Sequence, residues 1–544
     1  MSTIDTSPDA ISTAEVDETR IDESDNLAVS VAVVFTSSDH KLIGRLFIGA
    51  SLLALAACVT IGLLLGIERV DGTETLFDTD ALVDLFAAFR IGLLYGVLVP
   101  LFLGLAVAVV PLQLGARSLA FPRLAMAGFW AWAGGIVIVI VALANNGGPD
   151  GTNGDMVDLF FAGFALTAIG IVAAAVPVAA TVLTARAPGM RMSRVPFFSW
   201  SALVSAIGLL LVMPALVGVL IYLFVDHRYA LGLFDGSWIE FAFTQPATYL
   251  FALPAAGVAA ELIPVTFRTR MPFRGAVYAG LALIGVAALS AVSQQANHDV
   301  PWTGSDGDKF ADLLPYAFFT LLPMLGVVIV MGVGAMAAKP SGGRARPRIT
   351  SPFVFSFLGL AMVLAGMLGG ALTPITDLGL QGTVFEEGVL VCLVYGAVLA
   401  GLGALAYWTP KLTGRVIPDK PALGLAVLGF LAAALAGLPY YIAGFADQPA
   451  ASGVYDYSGP AELWNVLVTV GHGLMGVVLL GFIGLSAKSV GSGREAGDDP
   501  WEGQTLEWTT PSPAPDDNFL EVPTVMSPEP LVDLWAGSDR EAEP

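Results

Sequence analysis

The chain is 544 residues long, 56% hydrophobic and only 13% charged, against roughly a quarter charged in ordinary soluble domains, so a soluble globular protein is excluded. Its formal net charge of −21 equally excludes a nucleic-acid binder, which needs a basic footprint. The natural partner of such a composition is a lipid bilayer.

In chain order, residues 1–35 are acidic and Ser/Thr-rich, with no apolar stretch able to offset ordering entropy. They predict a disordered N-terminal tail and contain no signal peptide. Residues 36–489 hold twelve apolar runs, near 43–66, 82–112, 124–145, 158–184, 199–225, 240–263, 276–295, 310–337, 352–373, 387–408, 422–445 and 464–486. A helix needs about 20 apolar residues to cross a hydrocarbon core, and these runs are too continuous for alternating barrel strands. The fold class predicted is therefore all-α integral membrane, with twelve transmembrane helices. Residues 338–350 form a Gly/Arg/Pro linker, and residues 490–544 an acidic, Pro-rich C-terminal tail with Trp501, Trp508 and Trp535 as docking points. Cys58 and Cys392 fall inside apolar runs and read as buried small hydrophobes. No internal repeat is present.

Charge sets the orientation. Arg117 and Arg123 follow span 2, Arg186, Arg191 and Arg194 follow span 4, and Arg268, Arg270 and Arg274 follow span 6. Lys339, Arg344, Arg346 and Arg348 follow span 8, and Lys411, Arg415 and Lys420 follow span 10. The alternate loops carry only Arg69, Arg228 and Lys309 among many acids. The positive-inside rule places both termini in the cytoplasm.

Several fragments then fall in a recognisable order: Asp39-His40-Lys41, Ala120-Phe121-Pro122-Arg123, Arg186-Ala187-Pro188-Gly189 and Pro196-Phe197-Phe198-Ser199-Trp200. Phe234-Asp235, Tyr407-Trp408-Thr409-Pro410-Lys411, Trp464-Asn465, and Asp499-Pro500-Trp501 through Leu506-Glu507-Trp508-Thr509 continue it. Together, from about residue 36 to 520, they resemble cytochrome c oxidase subunit I of the haem-copper oxidase superfamily. The resemblance implies a twelve-helix fold, two haems and a copper held by six histidines, and cytochrome-c oxidase activity in an aerobic respiratory chain. This chain has four histidines in all.

The implied ligand positions can be read one by one. Leu85-Phe86-Ala87-Ala88-Phe89-Arg90 puts Phe89 where the family's span 2 histidine binds the low-spin haem, and Arg90 where glycine follows. Thr244-Gln245-Pro246-Ala247-Thr248-Tyr249 puts Gln245 at a copper histidine, while the family tyrosine remains as Tyr249. Gln294-Gln295 is the nearest match to the copper His-His pair, with His298 as a displaced candidate in the loop beyond. In span 10, counting back from Trp408 puts Gly388 and Leu390 at the two haem histidines. Ala450-Ala451 stands where paired arginines hold haem propionates, and Ser118 where a proton-entry aspartate is expected. Phenylalanine, glycine and leucine have no donor for iron, and copper favours imidazole over an amide. No cofactor is therefore expected. His472 reads as a partner for a neighbouring helix, and Glu261 as a boundary charge.

An ionisable group inside a bilayer needs a partner. Arg90 is predicted to fill part of the haem space and pair with Glu386 or Glu387, the alternative being that it snorkels outward. Three functions remain. The first is a haem-free paralogue acting as a structural, assembly or regulatory partner of other respiratory-complex subunits. The second is a transporter or small-molecule binder reusing the haem cavity. The third is an active terminal oxidase coupling oxygen reduction to proton pumping. The setting expected is a prokaryotic plasma membrane, and the acidic bias is a habit of salt-loving archaea.

Overall fold

The computed structural model describes residues 35–71, 76–149, 151–233, 239, 242, 247–293, 313–338, 346–455, 460–519, 521–522 and 524–533. Among them are twelve helices long and apolar enough to cross a membrane. They are α1 (His40–Glu68), α2 (Ala81–Gln113), α3 (Pro122–Leu143), α4 (Gly154–Thr184), α5 (Phe197–Tyr229) and α6 (Tyr249–Phe267). The second half comprises α7 (Arg274–Ala291), α8 (Leu313–Ala337), α9 (Ser351–Leu372), α10 (Val384–Thr413), α11 (Asp419–Phe445) and α12 (Ala461–Ser492). Among the described residues, helix α6 runs from Tyr249, after a turn at Ala247 and Thr248.

Burial sorts the helices into an inner and an outer set. The apolar windows of α2 and α10 are 100% buried and that of α6 is 89% buried, against 39% for α1, α3, α8, α11 and α12. A helix apolar all round and buried all round belongs to a core, whereas a half-buried apolar helix leaves one face for lipid. Leu53, Val137 and Leu480 are such outward residues. The three inner helices are the ones on which the sequence places Phe89, Tyr249, Gly388 and Leu390.

Helix α2 is not uniform. Gly92–Leu98 is a π-helical stretch directly ahead of Pro100. Proline lacks an N–H and its ring clashes with the carbonyl four residues back, so widening the preceding turns relieves both faults. The same arrangement recurs in α8, where π-helical Ala317–Leu321 precedes Pro323. Backbone groups in the hydrocarbon region must find partners inside the protein. In α2 the Ser51 hydroxyl donates to Val97 O at 2.6 Å and Trp132 Nε1 donates to Tyr95 O at 2.8 Å.

The described residues beyond α12 fold back over one end of the bundle, so reading this segment as a tail understates their packing. Trp501 Nε1 donates to Tyr407 O at 2.9 Å, and Trp408 Nε1 donates to Glu507 Oε1 at 3.0 Å. Lys41 Nζ donates to Pro515 O at 2.7 Å, and His40 lies between Val107 O and Asn518, both 3.1–3.2 Å away. Arg268 pairs with Glu502 and Arg274 with Glu529, each at 2.8 Å. These contacts define a tail end of the bundle. The far end holds the C-terminus of α1 and the N-termini of α10 and α12. Trp535 and residues 1–34 lie outside the described residues.

Candidate functional site

The far half of the inner bundle contains the positions at which the resemblance implies metal ligands. Phe89, in the turn of α2 just before its π-helical stretch, is 2% exposed. Its ring meets the His472 imidazole edge to face, with centroids 5.7 Å apart. His472, on α12, is hydrogen-bonded through Nδ1 to the Tyr395 hydroxyl of α10 at 2.8 Å. A Cβ added at Gly62 of α1 would come within 2.8 Å of His472 Cε1 and 2.9 Å of Phe89 Cε2. Four helices therefore meet at van der Waals contact around Phe89, and His472 satisfies a hydroxyl.

Helix α10 is equally closed. Gly388 lies against α11, where an added Cβ would sit 2.8 Å from Gly437 O and 3.0 Å from both Tyr440 Cβ and Tyr441 Cδ1. Any side chain at 388 would force α10 and α11 apart. Leu390 is 4% exposed and packs in the main apolar core. Tyr249 is wholly buried, its hydroxyl 3.4 Å from Met367 O. Gln245, Gln294, Gln295 and His298 lie outside the described residues.

The charges at this end are arranged around a residue that the sequence reading treats as a loop cation. Arg69, directly after α1, is 1% exposed. Its Nη1 and Nη2 donate to the two carboxylate oxygens of Glu387 at 2.6 and 2.7 Å, and Nη1 also donates to Tyr440 Oη at 2.9 Å. Nη2 further donates to Ala450 O. Two parallel bonds to one carboxylate are the strong, geometrically selective form of this pair. Arg69 thus reaches the segment where the resemblance places propionate-binding arginines, but it arrives from α1 and grips a carboxylate of α10. Glu387 is taken by Arg69, and Arg90 lies 3.6 Å from Glu386, with both side chains about one-fifth exposed (20% and 23%). The Arg90 guanidinium also stacks over Phe86, 4.5 Å from the ring centre.

A polar lattice surrounds the pair. Tyr455 Oη donates to Arg69 O at 3.1 Å and accepts from Asn465 Nδ2 at 2.8 Å, while Asn465 Oδ1 accepts from Gln448 Nε2 at 3.1 Å. Glu68 accepts from the backbone N–H of Leu76 at 2.9 Å. At the tail end, Glu261 is a buried cap: its Oε2 accepts from the Phe197 and Phe198 backbone N–H groups at 2.8 and 3.3 Å. An anion at a helix N-terminus complements the unsatisfied donors and the dipole of α5. His227 ends α5 and lies 2.7 Å from Asp158 of α4.

Among the described residues, those at the implied haem-ligand positions do not fit a haem. Phe89, Gly388 and Leu390 offer no metal donor, and the space beside them is filled by Gly62, His472, Tyr440 and Tyr441. The imidazole nearest Phe89 among the described residues, His472, has Nδ1 engaged with Tyr395. The arrangement binds helices to one another through a buried ion pair and interlocked rings.

Residues 42–474 match the family described as Cytochrome C and Quinol oxidase polypeptide I. Cytochrome c oxidase subunit 1 of Corynebacterium glutamicum is 31% identical over 92% of this chain and 88% of its own length. Cytochrome c oxidase subunit 1 of Bacillus subtilis is 26% identical over 94% and 84%. A solved structure of a heme-copper terminal oxidase dimer shares the fold, with a TM-score of 0.65 at 15% identity, covering 92% of this chain and 89% of that one. A match over most of the chain, on twelve apolar helices, makes this multi-pass membrane protein a member of the cytochrome c and quinol oxidase polypeptide I family.

Proposed function

We propose that this chain is a haem-free subunit I-like protein, acting as a structural, assembly or regulatory partner of other subunits in an aerobic respiratory membrane. The observation carrying this reading is the closure at Gly388, where an added Cβ would stand 2.8 Å from Gly437 O. A histidine there would have to push α11 aside before it could face an iron. The reading places the protein in a prokaryotic plasma membrane with both termini cytoplasmic, which the loop charges favour. A transporter or small-molecule binder would need Arg90, Gln245 and Tyr249 to line a cavity. Arg90 faces Glu386 and Phe86, and Tyr249 is enclosed, which favours the structural reading. Function follows the site and not the fold, so the family's oxygen chemistry does not transfer to these residues.

The test is deletion of this chain in its native cell. The reading expects the amount of assembled haem-copper oxidase in the membrane to fall, with turnover per remaining haem unchanged. Unaltered oxidase assembly, or loss of turnover per haem, would contradict it.

A further inference from the structure

The loop joining α6 to α7 is residues 268–273, between membrane helices that end at Phe267 and begin at Arg274. So short a connection between two spans stays at the bilayer surface. Phe273 within it is 66% exposed, an apolar ring suited to the lipid boundary. Arg270 and Arg274 flank that ring in sequence, and both are paired with the C-terminal segment. Arg274 Nη1 lies 2.8 Å from Glu529 Oε1 and Arg270 Nη1 lies 3.9 Å from Glu529 Oε2, while Arg270 Nη2 donates to Asp533 Oδ1. Arg274 and Glu529 are largely buried, whereas Arg270 and Asp533 are about half-exposed. Arg274 is held further by Tyr278 Oη at 3.1 Å and Val195 O at 3.2 Å. Upstream, the segment is clipped through its backbone: Val525 N–H donates to Pro188 O at 2.8 Å, and Val525 O accepts from Arg194 Nη1 at 3.0 Å. The two ion-paired carboxylates lie beyond this clip.

A guanidinium fork matches carboxylate and phosphate alike, and these two forks stand at the level of the lipid headgroups. From residue 495 to 539 the chain has no Lys or Arg. The stretch that supplies Glu529 and Asp533 is therefore repelled by an anionic membrane surface, which attracts the arginines. Segment and headgroup are alternatives at the same cations. We propose that Arg270 and Arg274 form a headgroup site for anionic phospholipid, which the chain's own Glu529 and Asp533 close. Exposed ion pairs are weak and screened by salt, so Arg270–Asp533 is the point at which a phosphate enters. Arg274 becomes available when Glu529 follows.

The test uses the full chain in nanodiscs of phosphatidylcholine alone or mixed with phosphatidylglycerol. Phosphatidylglycerol retained per chain is counted by native mass spectrometry, and cleavage of the C-terminal segment is followed by limited proteolysis. Phosphatidylglycerol is expected to speed cleavage beyond Val525. Inorganic phosphate added to phosphatidylcholine discs, compared with chloride at equal ionic strength, is expected to leave it unchanged. Glu529→Gln/Asp533→Asn should retain more phosphatidylglycerol than the unaltered chain, and Arg270→Gln/Arg274→Gln should retain less. Equal cleavage in both lipids, or either variant retaining the same amount as the unaltered chain, overturns the proposal. Release of the segment by inorganic phosphate alone overturns the lipid headgroup as the ligand.

Discussion

The two ends of the bundle solve the same problem with different chemistry. At the tail end, fragments scattered across the sequence, among them His40, Lys41, Trp408, Lys411, Trp501 and Glu507, meet in one network around the C-terminal segment. These are the fragments that carry the resemblance to the oxidase family. At the far end, the positions implied to bind metal are Phe89, Gly388 and Leu390, and the joints between helices are instead Arg69–Glu387–Tyr440 and Phe89–His472–Tyr395. The difference teaches that many of the recognisable fragments of this chain lie where the helices are clamped to their own C-terminal segment. Where a cofactor would have tied α2 to α10, protein side chains tie α1, α10, α11 and α12 together.

The largest effect is expected at Arg69–Glu387. Removing one partner of a buried pair leaves an uncompensated charge and costs about 3–5 kcal/mol, whereas replacing both with apolar groups is often neutral. Arg69→Met or Glu387→Gln alone should sharply lower the thermal unfolding temperature in detergent, and Arg69→Met/Glu387→Leu should recover most of it. A double variant as unstable as the sum of the singles breaks the comparison, since the far end would then not depend on pairing.

Gly388→His comes next. Restoring the family's residue should destabilise the bundle by about 1–3 kcal/mol through overpacking against α11, measured by the same thermal assay. Wild-type stability in this variant would show that the far end yields more than its packing implies.

At the tail end, Trp408→Phe removes a donor from a buried carboxyl and should cost about 1–3 kcal/mol, read as faster proteolysis of the C-terminal segment. The pH dependence has a definite sign. Burial raises the folded-state affinity of Glu507 for its proton, so docking is strongest below the ordinary glutamate range and weakens as pH climbs through the raised value. Glu507→Gln should flatten that profile; an unchanged profile would remove Glu507 from the clamp's electrostatics.

The smallest effect belongs to Arg90→Ala. Its pair with Glu386 is 3.6 Å long and about one-fifth exposed, and such pairs contribute under about 1 kcal/mol and weaken in salt. A larger loss would mean that Arg90, and not Arg69, anchors the far end.

The twelve spans were legible because a bilayer writes its thickness directly into runs of hydropathy, one residue after another. Phe89 was read from an ungapped run between Leu85 and Pro100, and Gly388 and Leu390 by counting back from Trp408. Arg69 was not, since a cation just past a span counts as a loop charge and its partner lies 318 positions away in sequence. The only available signal was that Glu387, inside an apolar run, needed a cation from somewhere; Arg90 was the nearer candidate in the family frame, and it took Glu386. The capping role of Glu261 was hidden for a similar reason, because its partners are backbone N–H groups of α5 and carry no side-chain signature. Trp501 and Trp508 did announce docking points within an acidic, Pro-rich segment, but composition could not show that Glu507 would be buried beside them. The π-helical stretches have one sequence trace, Pro100 and Pro323, which marks a fault in the helix without saying how it is resolved.

The central claim is that the far end is held by protein and not by cofactor. The most direct test is the optical spectrum of the full chain, purified from haem-replete cells and recorded oxidised and dithionite-reduced. The account predicts no Soret band and no reduced α-band at any level approaching one haem per chain. A stoichiometric haem spectrum from a protein still carrying Phe89, Gly388 and Leu390 would contradict it.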